Sequence, residues 1–155
     1  MANIAEKKVS DRKIEMSGLL IEKTARLFKL SFARLLMLHP EIDITVDQWV
    51  IIQLLYKHKT LSQQDIAELA FKDAPTVTRM IDLLENKLYL KRNPDPADRR
   101  KFIISLSTHG EAMYHMVLPI MQEFRLESYA GLTNEDLSAL EYILNKIFSN
   151  LSKSN

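Results

Sequence analysis

Helices should dominate this chain, with a single two-stranded hairpin set among them. Two observations predict it. Glycine occurs only at positions 18, 110 and 131, and the abundant Leu, Ile, Ala, Glu and Lys favour helix. One stretch breaks the helical rhythm: Asn93 to Leu106, NPDPADRRKFIISL. There, two prolines and two aspartates make a tight polar tip, and Phe102, Ile104 and Leu106 alternate with Lys101, Ile103 and Ser105.

The first helix should run from about Lys13 to Leu38. Its apolar residues form more than one stripe, which implies more than one packing partner. Pro40 disfavours helix at His39 and ends the run. Thr45 with Gln48 fits a capping box, opening a helix that reaches about His58. Ser62 with Asp65 fits another, opening a short helix that ends near Phe71. Asp73 can cap the next helix, Ala74 to Lys87, with Pro75 tolerated in its first turn. At ~100° per residue, Val77, Met80, Ile81, Leu84 and Leu88 share the core side of that helix. Leu88–Arg92 and Lys101–Leu106 then read as the two strands of the hairpin. A long helix begins after Ser107 or Thr108; Thr108 with Glu111 also fits a capping box, and a kink is expected around Pro119. Gly131 should stop it, and Thr133 should cap a final helix rich in Leu, Ile and Phe.

Composition narrows the chemistry. At 155 residues and 46% hydrophobic content the chain can form one domain with a real core. The absence of cysteine excludes disulfides, thiolate metal sites, cysteine nucleophiles and thiol redox sensing. Three isolated glycines cannot make a phosphate loop or a dinucleotide fingerprint. The first residues, MANIAEKKVSDRKIEMSG, mix charges and lack the apolar run of a secretory signal. No run of about 18 apolar residues suggests a membrane span. A soluble, cytoplasmic protein without a cofactor is expected. No paired carboxylates, activated nucleophile or metal spacing points to an enzyme; Asp82 and Glu85 read as surface ion-pair partners. Of the four histidines (39, 58, 109 and 115), His109 and His115 are six apart and do not share a helix face, so no metal site is expected.

A short helix, a tight turn, a second helix and a two-stranded wing together make a winged helix-turn-helix. The charge distribution agrees. Lys72 to Lys101 holds eight basic and five acidic residues, a local excess of three, whereas the whole chain carries only +1. In such a unit the start of the second helix enters the major groove. Pro75, Thr76, Thr78 and Arg79 lie there; arginine can bond guanine O6 and N7 together, and threonine can reach base edges. The proline-stiffened hairpin tip can carry Arg99, Arg100 and Lys101 toward a minor groove, with Asp98 placed to orient Arg100 by an ion pair. A solvated polar face and an ordinary charged loop are the alternative readings of these two segments.

Residues 61 to 110, LSQQDIAELAFKDAPTVTRMIDLLENKLYLKRNPDPADRRKFIISLSTHG, resemble the multiple antibiotic resistance regulator (MarR) family. PTVTRMIDLLE resembles its recognition helix, and RNPDPADRRKFIISLSTHG its wing and the start of the next helix. The resemblance implies a dimeric transcription regulator, mainly α, that binds a palindromic double-stranded operator and often answers to a small effector. It implies an N-terminal dimerisation segment (1–44), a DNA-binding lobe (45–107) and C-terminal dimerisation helices (108–155). Phe28, Phe32, Trp49, Met113 and Met116 are candidates for an effector pocket, with plain core or dimer interface as the alternative. One departure stands out: Leu88 occupies a position where the family usually has glycine, which suggests a different helix ending. A winged-helix module that binds protein instead of DNA is the competing function.

Overall fold

The computed structural model describes residues 11–98 and 100–153. It contains α1 (Asp11–Leu36), α2 (Val46–His58), β1 (Thr60–Ser62), α3 (Gln63–Leu69), α4 (Ala74–Asn86), β2 (Leu90–Pro94), β3 (Phe102–Leu106), α5 (Thr108–Ser128) and α6 (Asn134–Ser152). The chain divides into two compact units between Ile120 and Met121.

The caps of α2, α3, α4 and α6 fall where the sequence places them. Thr45 Oγ1 accepts from the Gln48 amide at 3.2 Å while Gln48 Oε1 accepts from the Thr45 amide at 3.0 Å. That reciprocal pair lets Gln48 be buried without losing its hydrogen bonds. Ser62 with Asp65 and Thr133 with Asp136 form the same box. Gly131 turns the chain before α6 with φ +85°. Pro119 lies inside α5, which continues as α-helix to Ser128.

Three details differ from the sequence reading. The first is the cap of α5: of the two starts the sequence offers, the structure uses Ser107, without the Thr108 box. Ser107 Oγ accepts from the Gly110 amide at 3.0 Å and donates to the Leu88 carbonyl at 2.5 Å. A buried serine that serves both a helix start and the strand root outcompetes an exposed threonine.

The second is Leu88, which is exposed and not core. It takes the left-handed conformation with φ +63°. Its amide donates to Glu85 O, and the Tyr89 amide to Leu84 O. This is the Schellman ending that glycine normally supplies, so the helix ends as it would with glycine, at the expense of some backbone strain. With residues 88 and 89 committed to that turn, β2 begins at Leu90.

The third is an additional strand. β1 pairs with β3 (Thr60↔Ser105, Leu61↔Ile104, Ser62↔Ile103), giving a three-stranded antiparallel sheet in the order β1-β3-β2. Three residues, the last of them a helix cap, leave no alternation to read.

The core of the first unit joins these parts. Trp49, Ile51, Ile52 and Leu55 of α2, Ile66 of α3, Val77, Ile81 and Leu84 of α4, and Ile104 of β3 are fully buried. In the second unit α6 buries none of its residues.

Candidate nucleic-acid interface

The start of α4 is built by Asp73, whose Oδ1 accepts from the Thr76 amide at 2.8 Å. That amide holds the Asp73 carboxyl below the ordinary carboxylate range. Pro75 fits the first turn because it has no N–H to satisfy there. Pro75 and Arg79 are exposed, and Thr76 and Thr78 are half-buried. The Thr78 hydroxyl is already engaged: it donates to Ala74 O at 2.9 Å and accepts from the Gln63 amide group. Gln63 was not singled out in the sequence. It ties α3 to α4 across the helix-turn-helix, and a lone glutamine at a helix start gives no signal for that. The free polar surface at the start of α4 is therefore carried mainly by Thr76 and Arg79.

The wing is β2 and β3 with the register Leu90↔Leu106 through Pro94↔Phe102. Its tip is closed by the Asp95 amide donating to Lys101 O at 2.9 Å and the Lys101 amide to Asp98 O at 2.8 Å. Asp98 Oδ1 accepts from the Arg100 amide at 3.1 Å and from its Nε at 3.2 Å. These bonds keep the Asp98 carboxyl below its usual range. The Arg100 side chain is 90% exposed yet oriented at its root. Lys101 is exposed; Arg99 lies outside the described residues.

Wing and helix are tied together. Arg92 of β2 pairs with both Asp82 and Glu85 on α4. These two carboxylates are ion-pair partners, as the sequence reading had them. The basic excess of this region is also partly spent inside the fold. Lys72 pairs with Asp47, Lys87 with Asp43, and Arg92 with Asp82 and Glu85. Arg79, Lys91, Arg100 and Lys101 present their charge to solvent.

The effector candidates do not share one environment. Phe32, Trp49 and Met113 are buried, Phe28 is half-buried and Met116 is exposed. The Trp49 ring stacks on Tyr114 at 5.4 Å, and Tyr114 on Tyr56 at 3.7 Å. The Trp49 indole N–H is buried without a hydrogen-bond acceptor among the described residues. A cavity of about 230 Å³ lies elsewhere, between the end of α1 and the start of α2. It is lined by Ala33, Leu36, Ile42 and Ile44, with Lys29 and Asp47 at its polar edge. Among the described residues no group of three histidine, aspartate or glutamate side chains is placed to hold a metal, and no helix is long and apolar enough to cross a membrane.

The comparisons with known proteins agree with this geometry. Residues 44–102 match the model of the MarR family. The multiple antibiotic resistance protein MarR of Escherichia coli is 27% identical over 107 residues, 68% of this chain and 74% of that protein. A crystal structure of an E. coli MarR mutant complexed with operator DNA superposes with a TM-score of 0.78 at 26% identity, covering 89% of this chain and 99% of that one. A structure of Bordetella bronchiseptica BpsR superposes at 0.74 with 25% identity, over 85% and 98% of the two chains. That work describes regulation of BpsR DNA binding by 6-hydroxynicotinic acid. Residues 44–102, which hold the helix-turn-helix and most of the wing, thus carry the family match, and the chain is similar in sequence and fold to transcriptional regulators of the MarR family.

Proposed function

We propose that this chain is a homodimeric, sequence-specific DNA-binding regulator, a repressor released by a small-molecule effector. The observation that carries the reading is the rigid pairing of two DNA-facing elements. The polar start of α4 and the Arg100-bearing wing are held on one body by Arg92, Asp82 and Glu85. In this reading Pro75, Thr76, Thr78 and Arg79 meet the major groove, with Thr78 contributing its methyl because its hydroxyl is occupied. Arg99, Arg100 and Lys101 meet the flanking minor groove, and Asp98 orients Arg100. The lobe spans 45–107, and 1–44 with 108–155 form the dimer. Two apolar surfaces support that assignment. On α1, Met16, Leu20 and Leu27 are exposed, and on α6 so are Leu140, Ile143, Leu144 and Ile147. Stripes of this kind mark association surfaces.

The effector assignment draws on BpsR and on the aromatic cluster around Trp49, whose buried N–H would welcome an acceptor atom. The protein acts in the cytoplasm and catalyses no reaction.

The test is a selection of genomic fragments with purified protein at two salt concentrations, followed by titration of Arg79→Ala and Arg100→Ala on the recovered operator. A palindrome with half-sites about one helical turn apart is expected. Each variant should bind more weakly, and Arg100→Ala should lower the salt slope by about one. Unchanged affinity and slope in the double variant would refute the interface.

A further inference from the structure

A helix that reads a groove must be held at a fixed angle, and the segment between α1 and α2 grips α4 at both ends. Asp47, in the first turn of α2, places Oδ1 2.9 Å from Lys72 Nζ. Lys72 immediately precedes Asp73, the cap of α4. Four residues earlier, Asp43 Oδ1 accepts from the Tyr89 hydroxyl at 2.6 Å. Its Oδ2 lies 3.2 Å from Lys87 Nζ, and that ammonium also donates to the Asp43 carbonyl. Lys87 closes α4, and Tyr89 follows its Schellman turn. Two carboxylates from one five-residue stretch therefore hold both ends of a helix about 20 Å long. The stretch is itself fixed, since Ile42 and Ile44 beside Asp43 are buried. It is also linked outward: the second oxygen of Asp47 lies 2.7 Å from Lys29 Nζ on α1.

We infer that Asp43 and Asp47 are positioning residues for DNA binding, setting the presentation of α4 without touching DNA. The inference rests on the DNA-binding reading above. The contacts are unequally covered: Lys72 and Asp47 keep 22% and 33% of their side-chain surface, Lys87 and the more exposed Asp43 keep 34% and 52%, and Tyr89 is buried. Covered pairs of this kind hold geometry better than fully solvated ones, which hold little. Burial pushes the Asp47 carboxyl up, but hydrogen bonds and charge from Lys29 and Lys72 outweigh it and hold it below its ordinary value. Burial likewise opposes ionisation of Asp43, and Tyr89 and Lys87 outweigh it.

The sign of the effect makes the test sharp. Asp→Asn removes a negative charge, and if bulk charge alone mattered the protein would bind polyanionic DNA more tightly. The brace predicts the reverse. Full-length Asp43→Asn, Asp47→Asn, Lys72→Gln and the double variant Asp47→Asn/Lys72→Gln are titrated against the selected operator and against a scrambled duplex at several salt concentrations. Each Asn variant should lose on the order of tenfold in operator affinity, as expected for one hydrogen-bonded contact. Its salt slope and its affinity for scrambled DNA should stay as in the parent. The double variant should bind no worse than the weaker single variant, because both changes break one contact. Should Asp43→Asn fail to fold, Tyr89→Phe removes one of its contacts from the other side and must show a loss of the same sign. Operator binding that is equal or tighter in both Asn variants, or losses that add in the double variant, would overturn the brace alone. A parent protein that selects no operator would overturn the DNA reading and the brace with it.

Discussion

Gly110, in the first turn of α5, sets intrinsic helix preference against packing. Preference alone favours alanine there by about 1 kcal/mol. The structure predicts the opposite. A Cβ at this position would lie 2.1 Å from the Tyr89 carbonyl oxygen and 3.2 Å from Leu106 Cδ2, whereas ordinary contact begins at 3.4 Å. The root of β2 would have to retreat by more than an ångström. That carbonyl accepts from the Ser107 amide at 3.0 Å, so the retreat also weakens a hydrogen bond. Overpacking costs about 1–3 kcal/mol and the hydrogen bond about 1 kcal/mol. With the preference of alanine deducted, Gly110→Ala should destabilise by about 2 kcal/mol. For a chain of this size that is a Tm lower by roughly 4–8 °C. Circular dichroism melts at one fixed protein concentration measure it, since association makes Tm concentration-dependent. A Tm equal to or above the parent's would refute the reasoning and show that the strand root yields freely. Gly131→Ala is the companion: nothing lies within 4 Å of its Cβ, and only its φ of +85° resists, so it should cost about 1–2 kcal/mol through the backbone alone.

Arg92→Ala should cost about 1–3 kcal/mol, because it strips Asp82 and Glu85 of a three-quarters-covered partner; a urea titration reads it, and operator affinity should fall with it as wing and α4 uncouple. Leu88→Gly should leave stability within about 1 kcal/mol of the parent and more often raise it, since left-handed strain of about 1–2 kcal/mol is relieved against about 0.4–1 kcal/mol of added unfolded-chain freedom; a large fall in Tm would show that the exposed leucine packs against a partner. The Asp43 and Asp47 carboxyls sit below the ordinary 3.8 in the folded chain, so their stabilisation is present above that value and is lost as pH falls through their lower folded values. Acid titration below pH ~4 should therefore show a shallower loss of stability for Asp47→Asn than for the parent.

How much was legible follows physical lines. Local devices were: capping boxes, the Gly131 stop and the polar start of α4 depend on residues three or four apart, and the sequence displays them. The buried face of α4, Val77, Met80, Ile81 and Leu84, follows from helical spacing. What escaped depends on partners distant in sequence. β1 finds β3 across more than forty residues, Asp43 finds Lys87 and Tyr89, and Gln63 finds Thr78; no periodicity announces such pairs. Leu88 was misplaced for a different reason. Helical spacing assigns it to the core face, but the helix has already ended there, and the left-handed turn swings its side chain outward. The basic excess was read correctly as a count and too generously as a surface, because Lys72, Lys87 and Arg92 are paired with carboxylates of neighbouring elements.

The three-stranded sheet carries one more consequence, for solubility. A sheet with two open edges can template the addition of a strand from another copy, which is how edge-to-edge aggregation begins. Here one edge, β1, is three residues long, and its last residue already belongs to a helix cap. The other, β2, carries exposed Lys91 and ends in Pro94, which has no amide proton to offer. Neither edge presents a long ladder of free backbone groups. Self-association is thereby steered away from the strands and toward the helices, so a chain with a net charge of only +1, too small for charge repulsion to keep copies apart, guards itself against fibril growth through its backbone.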